Sequence, residues 1–386
     1  MTALRVHDAV REVPRDAWDA LVGDASPFLE WDWLATLEDS GAATPEAGWL
    51  PQHLTLWDDA RLIGACPLYV KAHSMGEFVF DQGWASAAMR AGIEYYPKLL
   101  VAVPFTPVTG VRFLSAPDAD RAAVISALAE ALEDLCRSRF SSVHVNFCLP
   151  DEVTALEARG WLRRTGYQYQ WQNEGFTSFD GYLESLRSKR RNQVKRERRE
   201  LAEQGIEIAV QTGDAVDPAL MPLVFRLYRT TVDRMAWGQQ YLDEPFFTLA
   251  GERLRHRLCL VLARRRGRVM AGTFNVQKGD ALYGRYWGAF EELRHLHFNV
   301  CYYAAIEHCA RQGLRRFEPG AGGEFKHLRG FEARATESMH FLAEPRLADA
   351  VRRFLVQERR AVAREIGWLA ERSALRRDRN EMDPEA

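Results

Sequence analysis

The sequence predicts an α/β (α+β) protein in which one structural unit is used twice. Three observations carry this. Each half reads as a short strand, helical segments, antiparallel strands, a helix and a further strand. Segments 61–71 (RLIGACPLYVK) and 268–278 (RVMAGTFNVQK) have the same length and the same ends, and 129–136 (AEALEDLC) resembles 304–310 (AAIEHCA), in the same order. Between the copies lies RSKRRNQVKRERREL, with eight Lys or Arg and one Glu from Arg187 to Arg199.

The first half opens with a strand, LRVH, and helical segments at PRDAWDAL and LEWDWLATLEDS. QHLTLWDD and ARLIGACPLYVKAH read as two strands joined by a tight turn. EFVFDQGW and KLLVAVPF are further strand candidates, rich in aromatic and β-branched residues. From Arg121 to Cys136, Val124, Ile125, Leu128, Leu132 and Leu135 recur at helical spacing, and the strand SVHVNF follows. In the second half IEIAVQ is a strand. DPALMPLVFRLYRTTVDRM is a helix with an Asp start signal and Pro in its first turn. Three strands joined at Arg266-Gly267 and Gly279-Asp280 come next. A helix with Phe298, Cys301, Ala305 and Cys309 on one face stops at Gly313, before the strand LRRFEPG. The expected organisation is an N-terminal domain over 1–175, a basic helical connector over 176–205, a C-terminal domain over 206–345 and a helix over 346–372. The tail 373–386 has little to bury and is expected to be disordered.

Net charge is −2, and the basic run contributes +7 (eight minus one), so the rest carries −9. Nucleic-acid binding over the whole surface is excluded, and any electrostatic role is local to the run. None of the six cysteines forms a CxxC, so no metal site is expected. No apolar run reaches the ~20 residues that span a bilayer, and MTALRVHDAV lacks the apolar core of a signal peptide. These features point to a cytoplasmic protein, at most peripheral to the inner membrane. The chain has 45 Arg and only 6 Lys. Where Arg fills generic cationic sites, each remaining Lys is a candidate for a place that needs a compact, titratable ammonium.

SMGEFVFDQGW, YYPKLLVAVPFTPVTG, LHFNVCYY and EPGAGGEFKHLRGF resemble motifs of the FemAB-like predicted N-acyltransferases, of peptidoglycan biosynthesis/recognition type, over about 25–365. The resemblance implies two tandem GNAT-like domains joined by the basic helical segment. It also implies transfer of an acyl or aminoacyl group from an activated donor to an amine, in a groove between the halves and mostly on the second. The donor would be acyl-CoA or aminoacyl-tRNA, with no cofactor bound permanently. Two departures stand out. The family's last motif reads closer to GAQGEHK, whereas here Phe325 replaces the His. The Gly-rich loop that holds a CoA pyrophosphate at a helix N-terminus is absent from EELRHLHFNV, where Arg294, His295 and His297 could supply positive charge instead. Fem-type enzymes also lack that loop, because their donor is an aminoacyl-tRNA. The alternative to an enzyme is a non-catalytic module of the same fold that binds a cell-wall or lipid amine, or a tRNA-binding factor.

Acyl transfer to an amine needs a polarised carbonyl, a stabilised oxyanion and groups that move protons. Glu318, Glu324, Lys326, His327 and Arg329 crowd a Gly-rich stretch. Lys326 is the candidate for an oxyanion or anion partner, and Glu318 or Glu324 for a proton acceptor. His327 and Arg329 are assigned to substrate binding. A salt-bridge cluster beside a tight turn is the competing reading. His297 near a helix start is a candidate base, and Tyr286 a candidate acid for the leaving group. In the first half Glu77, Asp81, Trp84, Tyr95, Tyr96 and Lys98 combine carboxylates with aromatics, which suits an amine or sugar. Arg187, Arg190, Arg191, Lys195 and Arg198 form the candidate polyanion-binding face, for tRNA or anionic lipid, against the alternative of a solvated helix.

Overall fold

A computed structural model describes residues 2–234, 240–323 and 325–376. In chain order, β1 (Thr2–His7), α1 (Arg15–Val22) and α2 (Trp31–Asp39) precede β2 (Trp49–Pro51), β3 (His53–Asp58), β4 (Arg61–Cys66) and β5 (Leu68–Lys71). Next come α3 (Gln82–Arg90), β6 (Lys98–Val101), β7 (Leu114–Ser115), α4 (Arg121–Arg139), β8 (Ser142–Cys148), α5 (Pro150–Ala158) and β9 (Leu162–Gln172). The basic run is α7 (Ser188–Ala202), preceded by α6 (Phe179–Ser185). Beyond it lie β10 (Ile206–Thr212), α8 (Met221–Val232), α9 (Glu244–Arg253), β11 (Leu258–Arg265), β12 (Arg268–Lys278) and β13 (Ala281–Ala289). α10 (Leu296–Phe298), a π-helical turn (Asn299–Tyr303) and α11 (Ala304–Gln312) follow one another without a break, and then come β14 (Arg316–Glu318), β15 (Glu332–Leu342) and α12 (Pro345–Glu371).

The chain divides into two compact units, with other boundaries than the expected ones. The first comprises residues 1–166, 241–254 and 335–363; the second comprises 167–240, 255–334 and 364–386. In the first, strands run in the orders β1-β3-β4-β7 and β2-β5-β6-β8-β15; in the second the order is β10-β11-β12-β13-β14-β9. Each unit holds one parallel pair whose strands are joined through a helix: β6 with β8 through α4, and β13 with β14 through 296–312. This is the common element of the two halves.

The apolar periodicity of 121–136 does what the sequence requires. Val124, Ile125, Leu128 and Leu132 are buried against Leu54, Leu99, Val101, Val143 and Val145. Asp120 starts the helix by accepting from the Ala122 and Ala123 N–H groups at 3.0 and 3.2 Å, a cap of the kind that contributes ~1 kcal/mol.

Four sequence expectations are corrected. The segment RLIGACPLYVK is not one strand: Pro67 offers no N–H to a ladder, so β4 and β5 fall into separate strand orders, whereas RVMAGTFNVQK is the single strand β12. EFVFDQGW is not a strand: Gly76 and Phe78 have φ of 78° and 59°, and α3 begins at Gln82. The basic run is not a free connector, since Val194, Glu197 and Leu201 are buried within the second unit. The start of the expected tail is ordered: Ser373 and Ala374 are buried, and Leu375 bridges to Leu186; residues 377–386 lie outside the described residues. Among the described residues no helix is long and apolar enough to cross a membrane.

The first unit buries two histidines edge-on against each other, with ring centroids 4.9 Å apart. His144 of β8 and His340 of β15 are each 1% exposed, with their Nδ1 atoms 2.6 Å apart. Burial pushes His144 down to about 3 and His340 well below the ordinary imidazole value. Unfolding frees both to take protons near pH 6.5, so stability is complete above that pH and is lost as pH falls toward the folded-state values. Urea midpoints measured from pH 7 to pH 4 should fall, with each such histidine contributing up to ~1.4 kcal/mol per pH unit. The His340→Gln variant should show a slope shallower by about one proton, and an unchanged slope would remove the pair from the account.

Candidate active site

In the second unit β13 and β14 start as partners and then part. They pair only at Ala281–Arg316, Leu282–Phe317 and Tyr283–Glu318. Beyond this point a cavity of about 210 Å³ is lined by Gly284, Arg285, Tyr286 and Trp287 on one side and Pro319–Gly323 on the other, with Asn275, His297, Cys301, Tyr302 and Lys326 completing its wall. β12 bulges against β13 between Phe274 and Asn275, at the same level. Gly284 and Gly320 let the backbones touch where they diverge. A Cβ on Gly284 would lie 3.2 Å from the Pro319 backbone, and one on Gly320, whose φ is 84°, would lie 3.0 Å from the Gly284 oxygen.

Lys326 is 2% exposed, and its Nζ donates to the Gly320 carbonyl at 2.6 Å. The ammonium lies 5.9 Å from the centre of the Tyr169 ring. Burial pulls it down to about 8, so it is mostly cationic at neutral pH but close to titration. His297 packs edge-on against Trp287 at 4.6 Å and Tyr302 at 5.2 Å. Burial, with the positive charges of Lys326 and Arg329, pushes it down to about 4, so the ring is neutral at pH 7. Tyr286 lines the cavity and packs on Tyr228 and Phe274. The π-helical turn places Cys301 and Tyr302 on the cavity wall, while Asn299 and Tyr303 are turned elsewhere; such turns recur at functional sites.

The other motif residues take different places. Glu318 does not line the cavity. It is buried 3.3 Å from Arg316 Nε and accepts from Gln170 at 3.3 Å, and burial, opposed by Arg316 and Arg285, raises it to about 7. Glu324 lies outside the described residues. His327 sits beside the Trp368 ring, at 6.4 Å. Phe325 is 59% exposed.

Arg329 is held on every side. Its Nη2 reaches both oxygens of Glu197 at 3.3 Å, its Nε donates to the Tyr303 hydroxyl at 2.9 Å, and its Nη1 donates to the Phe325 carbonyl at 3.2 Å. The Phe298 ring lies 3.4 Å below the guanidinium. Tyr303 also donates to Glu197, and Tyr182 donates to the Arg329 carbonyl at 2.7 Å. Arg329 therefore orders the Lys326 turn, with its charge met by Glu197 rather than offered to a substrate. Its partner, Glu197, is the one acid in the basic run and carried no role in the sequence reading.

The first-unit residues also come together. Lys98, fully buried, donates to Glu77 at 2.8 Å, to Asp81 at 2.5 Å and to Ser74 at 2.9 Å. Tyr95 donates to Asp81 at 2.7 Å, Tyr96 meets Ser74 at 2.7 Å, and Trp84 stands edge-on to His340 at 4.9 Å. Burial raises Glu77 to about 7. It would raise Asp81 too, but Lys98 holds that carboxylate at about 2. Burial alone would lower Lys98, yet its two carboxylates outweigh it and the ammonium is raised. Lys71, unassigned in the sequence reading, is fully buried 3.5 Å from the centre of the Trp49 ring, and burial lowers it to about 7. These contacts fit an internal ion cluster that fixes the SMGEFVFDQGW loop.

Of the basic run, Arg187, Lys189, Lys195, Arg196 and Arg199 are exposed, while Arg190, Arg191 and Arg198 are half-buried. Arg198 pairs with Glu307 at 2.7 Å and covers the Phe179 ring at 4.2 Å. Arg294 and His295, expected as substitutes for a phosphate loop, both lean on Glu200, at 3.6 and 3.0 Å.

In the second unit the parallel strands thus part beside a buried lysine and a neutral histidine. A family profile matches residues 9–377, and the chain belongs to the FemAB-like family, described as peptidoglycan biosynthesis/recognition. Among solved structures it is similar to FemX, with a TM-score of 0.54 and 12% identity over 91% of this chain and 100% of that one. It is also similar to L-PGS from Bacillus licheniformis (TM-score 0.53, 9% identity, 92% and 98% covered). A conserved protein of unknown function from Bacteroides thetaiotaomicron gives a TM-score of 0.52 at 10% identity, with 88% and 99% covered. At these identities the likeness is one of fold, a mixed α/β architecture shared over about nine-tenths of the chain. A comparison with curated proteins found no match.

Removing Glu197 leaves the Arg329 guanidinium buried without its counter-charge. Glu197→Ala should cost ~3–5 kcal/mol in urea unfolding, as for other broken buried pairs. A loss below ~1 kcal/mol would show that the pair does not hold the Lys326 turn.

Proposed function

We propose that this chain is an N-acyltransferase that moves an acyl or aminoacyl group from an activated donor to an amine, with the chemistry in the second-unit cavity. The observation that carries the reading is the parting of β13 and β14 around a cavity with Lys326 in its wall. The reacting carbonyl would sit between the two backbones, its oxygen near the Lys326 ammonium. The amine nitrogen attacks the acyl carbon, a C–N bond forms, and the bond from that carbon to the carrier's oxygen or sulfur breaks. His297, neutral at pH 7, accepts the amine proton, and Tyr286 protonates the departing group. Lys326 stabilises the oxyanion between these steps.

Two features favour an aminoacyl donor carried by tRNA over acyl-CoA. The segment before helix 296–312 has no glycine, and its Arg294 and His295 are engaged by Glu200. The exposed cations of α7 suit phosphate contacts. The acceptor is an amine-bearing molecule, and the family description favours one of the cell wall.

Lys326→Ala should lower turnover by roughly 10²–10³, the loss typical of removing one oxyanion donor, with little change in melting temperature. Lys326→Arg should not restore the rate, because a planar guanidinium does not fit where an ammonium reaches one carbonyl. Since the cation is lost as pH rises through about 8, wild-type kcat/KM should fall above that pH. Full activity in the Arg variant, or a flat profile from pH 7 to 9.5, would overturn the role given to Lys326.

Charge on α7 makes a separate prediction. Replacing Arg190, Arg191 and Lys195 with Gln should change stability by less than ~0.5 kcal/mol. The slope of log affinity for tRNA against log salt should become shallower by about one unit for each phosphate that the variant no longer neutralises. Unchanged tRNA affinity at low salt would make α7 a solvated helix only.

A further inference from the structure

Helix 296–312 has a second cavity on its other side. It measures about 400 Å³ and is lined by Arg198 of α7, by residues 208–210 of β10, and by Asn299, Tyr303, Ala304, Glu307, His308, Arg311 and Gln312. None of these lines the Lys326 cavity, whose share of the same helix is His297, Cys301 and Tyr302. The π-helical turn separates the two sets, so neighbouring residues face different cavities.

The charges in this second cavity do not balance. Arg198 and Arg311 both pair with the single carboxylate of Glu307. His308 is no third cation, since burial lowers it, and its Nε2 lies 2.9 Å from Gln277 Oε1. Two arginines against one glutamate leave an excess positive charge, with donors of the planar, forked kind that grip phosphate. On α7, Lys195 and Arg191 stand three and seven residues before Arg198, which puts all three on one helical face leading to the cavity. The volume exceeds what a phosphate needs and falls in the range of small-molecule sites. Ile208, Val210 and Ala304 supply apolar wall, and Gln312 supplies a polar group at its edge.

We propose that this cavity is a second ligand site, which takes the phosphate of a nucleotide-sized ligand between Arg198 and Arg311. The phosphate displaces one arginine from Glu307, and the base and sugar lie against Ile208, Val210 and Ala304. A free nucleotide and the terminal nucleotide of a nucleic acid present the same chemistry.

The test is calorimetric titration of the full chain with AMP, with adenosine, and with a four-residue oligoadenylate. AMP should bind, adenosine should bind at least tenfold more weakly, and Arg198→Gln/Arg311→Gln should lose at least tenfold in AMP affinity. Ala304→Phe, which fills the cavity and leaves both arginines in place, should also abolish binding, so the result does not rest on one variant folding. Oligoadenylate binding that is lost in both variants, with AMP inert, also supports the site and assigns it to a nucleic-acid end. No binding of either, or equal binding by wild type and Ala304→Phe, overturns it. Lys326→Ala should bind AMP as wild type does, so a failed transferase assay would leave this outcome unaffected.

Discussion

The ion pair between Glu197 and Arg329 sets the geometry of the second unit's site. Three stretches that are far apart in sequence converge on it: α7 through Glu197, the π-helical turn through Tyr303, and the motif turn through the Phe325 carbonyl. Burying two charges costs several kcal/mol each, and the mutual attraction returns it only when the remaining donors are occupied. Here Arg329 uses Nε, Nη1 and Nη2, and its flat face rests on Phe298. Lys326 is three residues away on the same turn, so its position follows from this pair together with its own hydrogen bond to the Gly320 carbonyl.

Both units use lysine in the same unusual way. Three of the six lysines, Lys71, Lys98 and Lys326, are buried, in a chain with 45 arginines. Lys98 has two carboxylates and is raised by them; Lys71 and Lys326 have carbonyl or ring neighbours and are lowered. The contrast shows how one residue type is tuned by what it faces. A surrounded ammonium serves as a structural cation, and one facing a carbonyl and a cavity stays near its titration point.

Much of this was legible in the chain. The helix over 121–136 and strands β11 to β13 follow from period and turn chemistry, and the Arg-to-Lys imbalance pointed at two of the three buried lysines as site candidates. Other features depend on contacts that no local pattern encodes. Glu197 looks like a surface residue within a run of cations, and only the fold brings Arg329 to it. The strand β15 lacks a clean alternation, since Ser338, Met339 and His340 are buried in succession, whereas β9 does alternate, aromatic with Gln from Tyr167 to Gln172, and that signal was missed. EFVFDQGW has strand-like composition, but Glu77 and Asp81 must turn inward to meet Lys98, and that demand overrides propensity.

The first unit is assembled from three separated stretches, and its last, residues 335–363, contributes the buried Met339, Leu347, Val351 and Leu355. During synthesis these residues leave the ribosome only after nearly the whole second unit has been made. Until then β8 lacks its neighbour β15, and the apolar surface that α12 covers is open to water. The nascent chain must therefore carry an unfinished first unit until residues 335–363 have emerged. The first unit is completed by a stretch made after most of the second, and holdase chaperones would have that interval in which to act.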